Sequence, residues 1–155
     1  MLREIYIIDC ENDLVMMLRE KFENEKSFRF KNIKPENLDI ALRGIPELII
    51  VNEQSINEDV IKLCKEIRQN EDNSITPVLV ISSNPDESHK IDIMKNNIEY
   101  IISNNASSEY LYYVIKNITR LLLVNRTVSP LTALPGKVQI QTDLKKRLLR
   151  NLKFV

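Results

Sequence analysis

Four stretches of the chain are apolar without interruption: IYII (residues 5–8), LIIV (48–51), VLVI (78–81) and YII (100–102). A strand with one wet face alternates apolar and polar residues, because successive side chains point to opposite sides. These runs do not alternate. Bounded by polar residues, they suit parallel strands covered on both faces. A fifth segment, FRFKNI (28–33), does alternate and suits the edge of a sheet. Helical patterns lie between the runs. Leu14, Leu18 and Phe22 form one stripe, reinforced by Met17. Pro35 is placed as the first residue of a short helix through Leu42, with Gly44 as its stop. Val60, Leu63, Cys64 and Ile67 follow helical spacing, Ile91 and Met94 mark a short helix, and Leu111, Val114, Ile115, Ile118 and Leu122 mark a long one. Strand and helix alternate five times, which predicts an α/β fold: a five-stranded, doubly wound parallel sheet.

Composition narrows the chemistry. The 22 basic and 22 acidic side chains cancel, so no global positive field draws the chain to nucleic acid or an acidic membrane. With glycine only at Gly44 and Gly136, the glycine-rich loops that cradle phosphates are excluded. A histidine-rich metal site is excluded too, and a Ser–His–Asp triad would have to use His89, which reads as a solvated loop residue in NPDESHK. Cys10 and Cys64 lie far apart inside apolar patterns and read as reduced thiols. The first residues, MLREIYIIDC, do not form a signal peptide, and no apolar run approaches the roughly 20 residues of a membrane span. The expectation is a soluble, cytoplasmic protein without nucleic-acid or membrane partners.

In an open parallel sheet, ligands bind beyond the carboxyl ends of the strands. The residues at those ends are Asp9, Cys10 and Glu11 after the first strand, and Asn52 after the third. Ser82 and Ser83 follow the fourth, and Ser103 and Asn104 the fifth. Asp9 and Glu11 also suit the start of the first helix, where carboxylates favour the N-terminal dipole.

With IYIIDCEND, IPELIIVNEQS, TPVLVISS and NNIEYIISNN in this order, residues 1–125 resemble the receiver domain of bacterial response regulators, a flavodoxin-like fold. The resemblance implies acidic Mg²⁺ ligands after the first strand and a phosphoaccepting aspartate at the end of the third. It also implies a Ser or Thr after the fourth strand and a Lys–Pro pair after the fifth. Asp9, Glu11 and Ser82 keep their parts of that pattern. Cys10 stands where a metal-ligating carboxylate is expected, Asn52 stands at the phosphoacceptor, and Ser103 and Asn104 stand at the Lys–Pro pair. A neutral amide is a poor nucleophile for phosphorus, and a thiol suits softer metals than Mg²⁺. Without the lysine, the cation that would neutralise a phosphoryl group is gone. The six residues Asp9, Cys10, Glu11, Asn52, Ser82 and Ser103 therefore read as a degenerate phosphoacceptor pocket. No catalytic residue, no metal ligand and no cofactor is expected, and Mg²⁺ binding is expected to be weak or absent. Glu53 is expected to point away from Asn52 and not to replace it as acceptor.

Residues 126–136, RTVSPLTALPG, read as a linker. The segment 137–155 reads as an extra amphipathic helix, with Ile140, Leu144, Leu148 and Leu152 on one face. Residues 129–155, through their LT-x-LP pattern, look like the start of a GGDEF domain of the diguanylate cyclase family, cut before the signature that would make it an enzyme. The resulting expectation is a non-phosphorylated receiver that regulates or dimerises an attached GGDEF domain by protein contact, with a homodimer formed through the last receiver helix. The alternative is a flavodoxin-like domain that senses a small molecule in its polar pocket. A flavin-dependent electron carrier is disfavoured, since DCEND lacks a phosphate loop.

Overall fold

A computed structural model describes residues 2–128, and the side chains of residues 2–123. The elements are β1 (Arg3–Ile8), α1 (Asp13–Lys21), β2 (Phe28–Ile33), α2 (Leu38–Ala41), β3 (Leu48–Asn52), α3 (Val60–Gln69), β4 (Val78–Ser82), α4 (Glu87–Met94), β5 (Tyr100–Ser103) and α5 (Ser108–Val128). The chain divides into two compact units. The first ends at Val114, inside α5, and the second begins at Ile115. In the second unit, Ile115, Ile118 and Thr119 are buried, and the Thr119 hydroxyl donates to the Ile115 carbonyl at 2.9 Å. The expected linker at 126–136 overlaps the end of α5. The expected GGDEF-like helix at 137–155 lies outside the described residues.

The five strands pair in parallel in the order β2-β1-β3-β4-β5. The three uninterrupted runs in β1, β3 and β4 occupy the interior, as continuous apolarity requires. The alternating FRFKNI segment forms one edge, as expected, and YII extends by Ser103 to form the other. One face of the sheet carries Tyr6, Ile8, Ile49, Val51, Val78 and Val80. These residues pack into a single core with Leu38, Leu42, Leu63, Cys64, Ile67 and Ile93. Alternation along each strand sends Ile5, Ile7, Leu48, Ile50 and Leu79 to the opposite face, and all five are fully buried. At the β2 edge, Phe22, the residue that caps α1, packs against Phe28, Phe30 and Tyr112, with ring centroids 4.8, 4.9 and 4.7 Å apart. Aromatic pairs at such separations add to area burial.

Several helices differ from the sequence expectation in instructive ways. The stripe of α1 runs through Val15, Leu18 and Phe22, and Leu14 and Met17 are only half-buried. The segment from Pro35 begins with a 3-10 turn, Pro35–Asn37, before the four-residue α2. Gly44 does follow its end. A methyl group there would run into the Tyr6 hydroxyl. In α4 the buried residue is Ile93, while Ile91 and Met94 are exposed. His89 is not a solvated loop residue. It sits in α4, and its Nε2 is 2.7 Å from Glu53 Oε2.

The segments that enter β4 and β5 are tied by Arg68 of α3. Its guanidinium donates to both Glu99 oxygens at 2.9 and 3.1 Å, and to the carbonyls of Thr76 at 2.7 Å and Asn97 at 2.9 and 3.1 Å. Asn97 has φ 62°, a left-handed turn that Asn tolerates better than most residues.

Candidate functional site at the carboxyl rim of the sheet

The strand order reverses at β1, whose neighbours are β2 and β3. The rim therefore opens between the carboxyl ends of β1 and β3, where loops diverge to opposite faces. Asp9 follows β1 directly, and Asn52 ends β3.

Asp9 is 1% exposed, and its carboxylate is surrounded by donors. Oδ1 accepts from the Glu11 backbone N–H at 2.9 Å and from the Ser55 hydroxyl. Oδ2 accepts from Asn52 Nδ2 at 3.2 Å. A buried charge needs such bonds, since desolvation without them costs several kcal/mol. The backbone of Asp9 is held as well: its N–H donates to the Ile33 carbonyl at 3.0 Å and its carbonyl accepts from Asn32 Nδ2 at 3.3 Å. The first three donors come from the α1 loop, the turn after β3 and the end of β3.

A carboxylate accepts and does not donate, so it fixes the Asn52 amide with its nitrogen toward Asp9. Asn52 also lines a cavity of about 120 Å³ together with Gln54, Ser103 and Asn104. Asn104 Nδ2 donates to Gln54 Oε1, and the Asn104 N–H donates to the Ser82 carbonyl at 3.1 Å.

The six residues singled out in the sequence have distinct positions. Asp9 and Asn52 are bonded to each other, and Ser103 joins Asn52 at the cavity. Ser103 is exposed, and its Oγ accepts from the Asn105 N–H at 3.1 Å. Ser82 is buried, and its Oγ accepts from the Asn84 N–H at 3.1 Å. Glu11 is exposed and supplies its backbone N–H. Cys10 is half-buried and free. Ser55 and Asn32 were not singled out. A serine three residues after the strand end, in a turn that folds back, was the available signal for Ser55. Beside the site, His89 holds Glu53 Oε2, while Glu53 Oε1 is buried without a hydrogen-bond partner.

This donor set does not fit a hard divalent cation. Mg²⁺ takes oxygen ligands in octahedral array, whereas both Asp9 oxygens already accept from protein donors and the next residue is a thiol. Among the described residues, no group of three or more His, Cys, Asp or Glu side chains is arranged to hold a metal ion. None of the groups bonding the Asp9 carboxylate carries positive charge. Among the described residues, no helix is long and apolar enough to cross a membrane.

No protein-family model matches the sequence, and no curated protein matches it either. Solved structures do. The chain is similar to the chemotaxis response regulator CheY4 of Vibrio cholerae, at 12% identity and a TM-score of 0.66, over 76% of this chain and 99% of that one. It is similar to the phosphorylated cyanobacterial phytochrome response regulator RcpA at 16% identity and a TM-score of 0.66, over 79% of this chain and 95% of that one. A putative response regulator from Chloroflexus aurantiacus matches at 21% identity and a TM-score of 0.64, over 77% and 99%. Strand number, order and pairing agree with these likenesses, and the fold is the flavodoxin-like fold of response-regulator receiver domains.

Proposed function

We propose that this chain is a receiver-type signalling domain that works by protein contact, without a phosphoaspartate. The observation that carries the reading is the bond from Asn52 Nδ2 to Asp9 Oδ2. At the position where the resemblance calls for an anionic nucleophile stands a neutral amide, and it donates to the carboxylate that would otherwise face a metal. Nucleophilic attack on phosphorus needs an anionic oxygen, and phosphoryl transfer needs charge neutralisation by cations. The end of β3 offers an amide in place of that oxygen, and no cation bonds the Asp9 carboxylate. The same exchange of an acid for an amide relieves the like-charge repulsion that stacked carboxylates would suffer. Loops that a metal and a phosphoryl group would otherwise organise are held instead by Asp9, Ser55, Asn52 and Asn32.

In this reading the domain comprises residues 1–125, in the cytoplasm, followed by the linker 126–136 and a GGDEF-type domain whose activity it regulates. The LT-x-LP pattern after a long helix supports that arrangement. Homodimerisation through α5 is supported by Leu121, which is 47% exposed on that helix.

Incubation with acetyl phosphate and Mg²⁺, followed by intact-mass measurement, tests the central claim. The expected spectrum is unchanged, and a stable phosphoryl adduct on a rim residue would overturn the reading.

A further inference from the structure

The cavity beside Asn52 has a composition of its own. Its polar wall is made of three primary amides and one hydroxyl: Asn52, Gln54, Asn104 and Ser103. Its apolar wall includes Leu14, Met17, Ile81 and Ile102. No charged side chain lines it. An anion entering would gain no counter-charge and would meet the field of the Asp9 carboxylate behind Asn52. The amides and the hydroxyl suit an uncharged polar occupant.

The hydrogen bonds already made determine what remains. Asn52 spends Nδ2 on Asp9, which leaves its Oδ1 as an acceptor. The Gln54–Asn104 bond uses Gln54 Oε1 and Asn104 Nδ2, leaving Gln54 Nε2 as a donor and Asn104 Oδ1 as an acceptor. Ser103 Oγ accepts from the Asn105 N–H, so its O–H is left to donate. Two acceptors and two donors are thus left over on the residues that line the cavity. A primary carboxamide complements them, with an N–H₂ for the carbonyl oxygens and a C=O for Gln54 and Ser103. A short branched aliphatic tail suits the apolar wall. The volume of about 120 Å³ is somewhat smaller than the roughly 150 Å³ of a cavity that holds benzene, so the ligand has about six non-hydrogen atoms.

We infer that this rim cavity binds a small neutral carboxamide with a short apolar tail, and that it discriminates against the corresponding carboxylate. The inference rests on the proposed reading only in taking the rim to carry neither a phosphoryl group nor Mg²⁺.

The test is a titration of the full-length protein, followed by two-dimensional amide NMR, with isobutyramide, isobutyrate and Mg²⁺ separately. Isobutyramide is expected to shift the backbone amides of Asn52, Gln54, Ser103 and Asn104 saturably, in the millimolar range that suits so small a ligand. Isobutyrate is expected to bind at least about tenfold more weakly. Two variants localise the effect. Gln54→Leu, at an exposed position outside the Asp9 network, should weaken isobutyramide about tenfold. Ala106→Leu, which fills the cavity, should abolish binding. The absence of a saturable shift with isobutyramide overturns the inference. So does equal binding of isobutyrate, or unimpaired binding to Ala106→Leu. If Mg²⁺ is silent as well as the amide, this inference alone falls. Saturable Mg²⁺ shifts around Asp9 would instead remove the reading of the rim on which it rests.

Discussion

The Asp9–Asn52 contact makes one substitution especially informative. Asn52→Asp replaces a donor 3.2 Å from Asp9 Oδ2 with a second carboxylate. Two anions at that distance repel, and Asp9 loses one of its donors. The variant is expected to be less stable than the parent by about 1–3 kcal/mol at neutral pH. Millimolar Mg²⁺ should restore part of the loss in the variant and leave the parent unchanged. Urea denaturation midpoints with and without Mg²⁺ measure both. Cys64 offers a second residue-scale effect. Burial pushes its thiol from 9.0 up to about 12, against a smaller opposing pull from Arg68. The folded chain thus keeps a proton that the unfolded chain releases above pH 9. The stabilisation from this group is complete below pH 9 and is lost as pH rises toward about 12, with a slope of up to about 1.4 kcal/mol per pH unit. Cys64→Ala should flatten that alkaline slope, compared at each pH by urea denaturation. Tyr6 and Tyr100, both raised by burial, contribute a background common to the two proteins.

Among elements, α3 has the clearest mechanical role. Arg68, near its end, bonds four residues in the two segments that lead into β4 and β5. Its side chain is 10% exposed. Glu99 accepts from Arg68 and also from the Val78 N–H at 3.0 Å. Burial raises the Glu99 carboxyl and the Arg68 guanidinium pulls it back down, so removing the arginine leaves a carboxylate that burial disfavours. Arg68→Ala is expected to cost about 2–4 kcal/mol by denaturant unfolding, and Arg68→Lys to recover only part, because an ammonium cannot reproduce the planar fork. The elements also show what sequence pattern conveys. Strands β1, β3 and β4 were legible because burial on both faces leaves an unbroken apolar run, a local property. The buried face of α4 was not legible. Ile91, Ile93 and Met94 are all apolar, and the choice of Ile93 depends on where the helix lands against α3 and the sheet. The rim residues followed from strand ends, but the bonds among them did not. Ser55 meets Asp9 across 46 residues and His89 meets Glu53 across 36, separations over which no periodicity carries information.

At the scale of the whole molecule, the proposed dimer makes its own prediction. Leu121→Glu on α5 places a charge at an exposed apolar position and should weaken self-association of the full chain by at least about tenfold in sedimentation equilibrium. An unchanged distribution would remove α5 from the interface. The topology explains why so divergent a sequence keeps this fold. Burial of the central strands is satisfied by any branched aliphatic residue, so identities of 12–21% to receiver structures coexist with the same strand order. The rim is not protected in that way, because each of its polar groups must find a specific partner.

A further consequence of the closed Asp9 network concerns time. A covalent switch remembers its input until the phosphoryl group is hydrolysed, and the rate of that reaction sets how long the message lasts. On the proposed reading, a rim whose carboxylate is held by protein donors has no such clock. What such a domain transmits would persist only as long as its partner stays in place, and its duration would be the residence time of a complex.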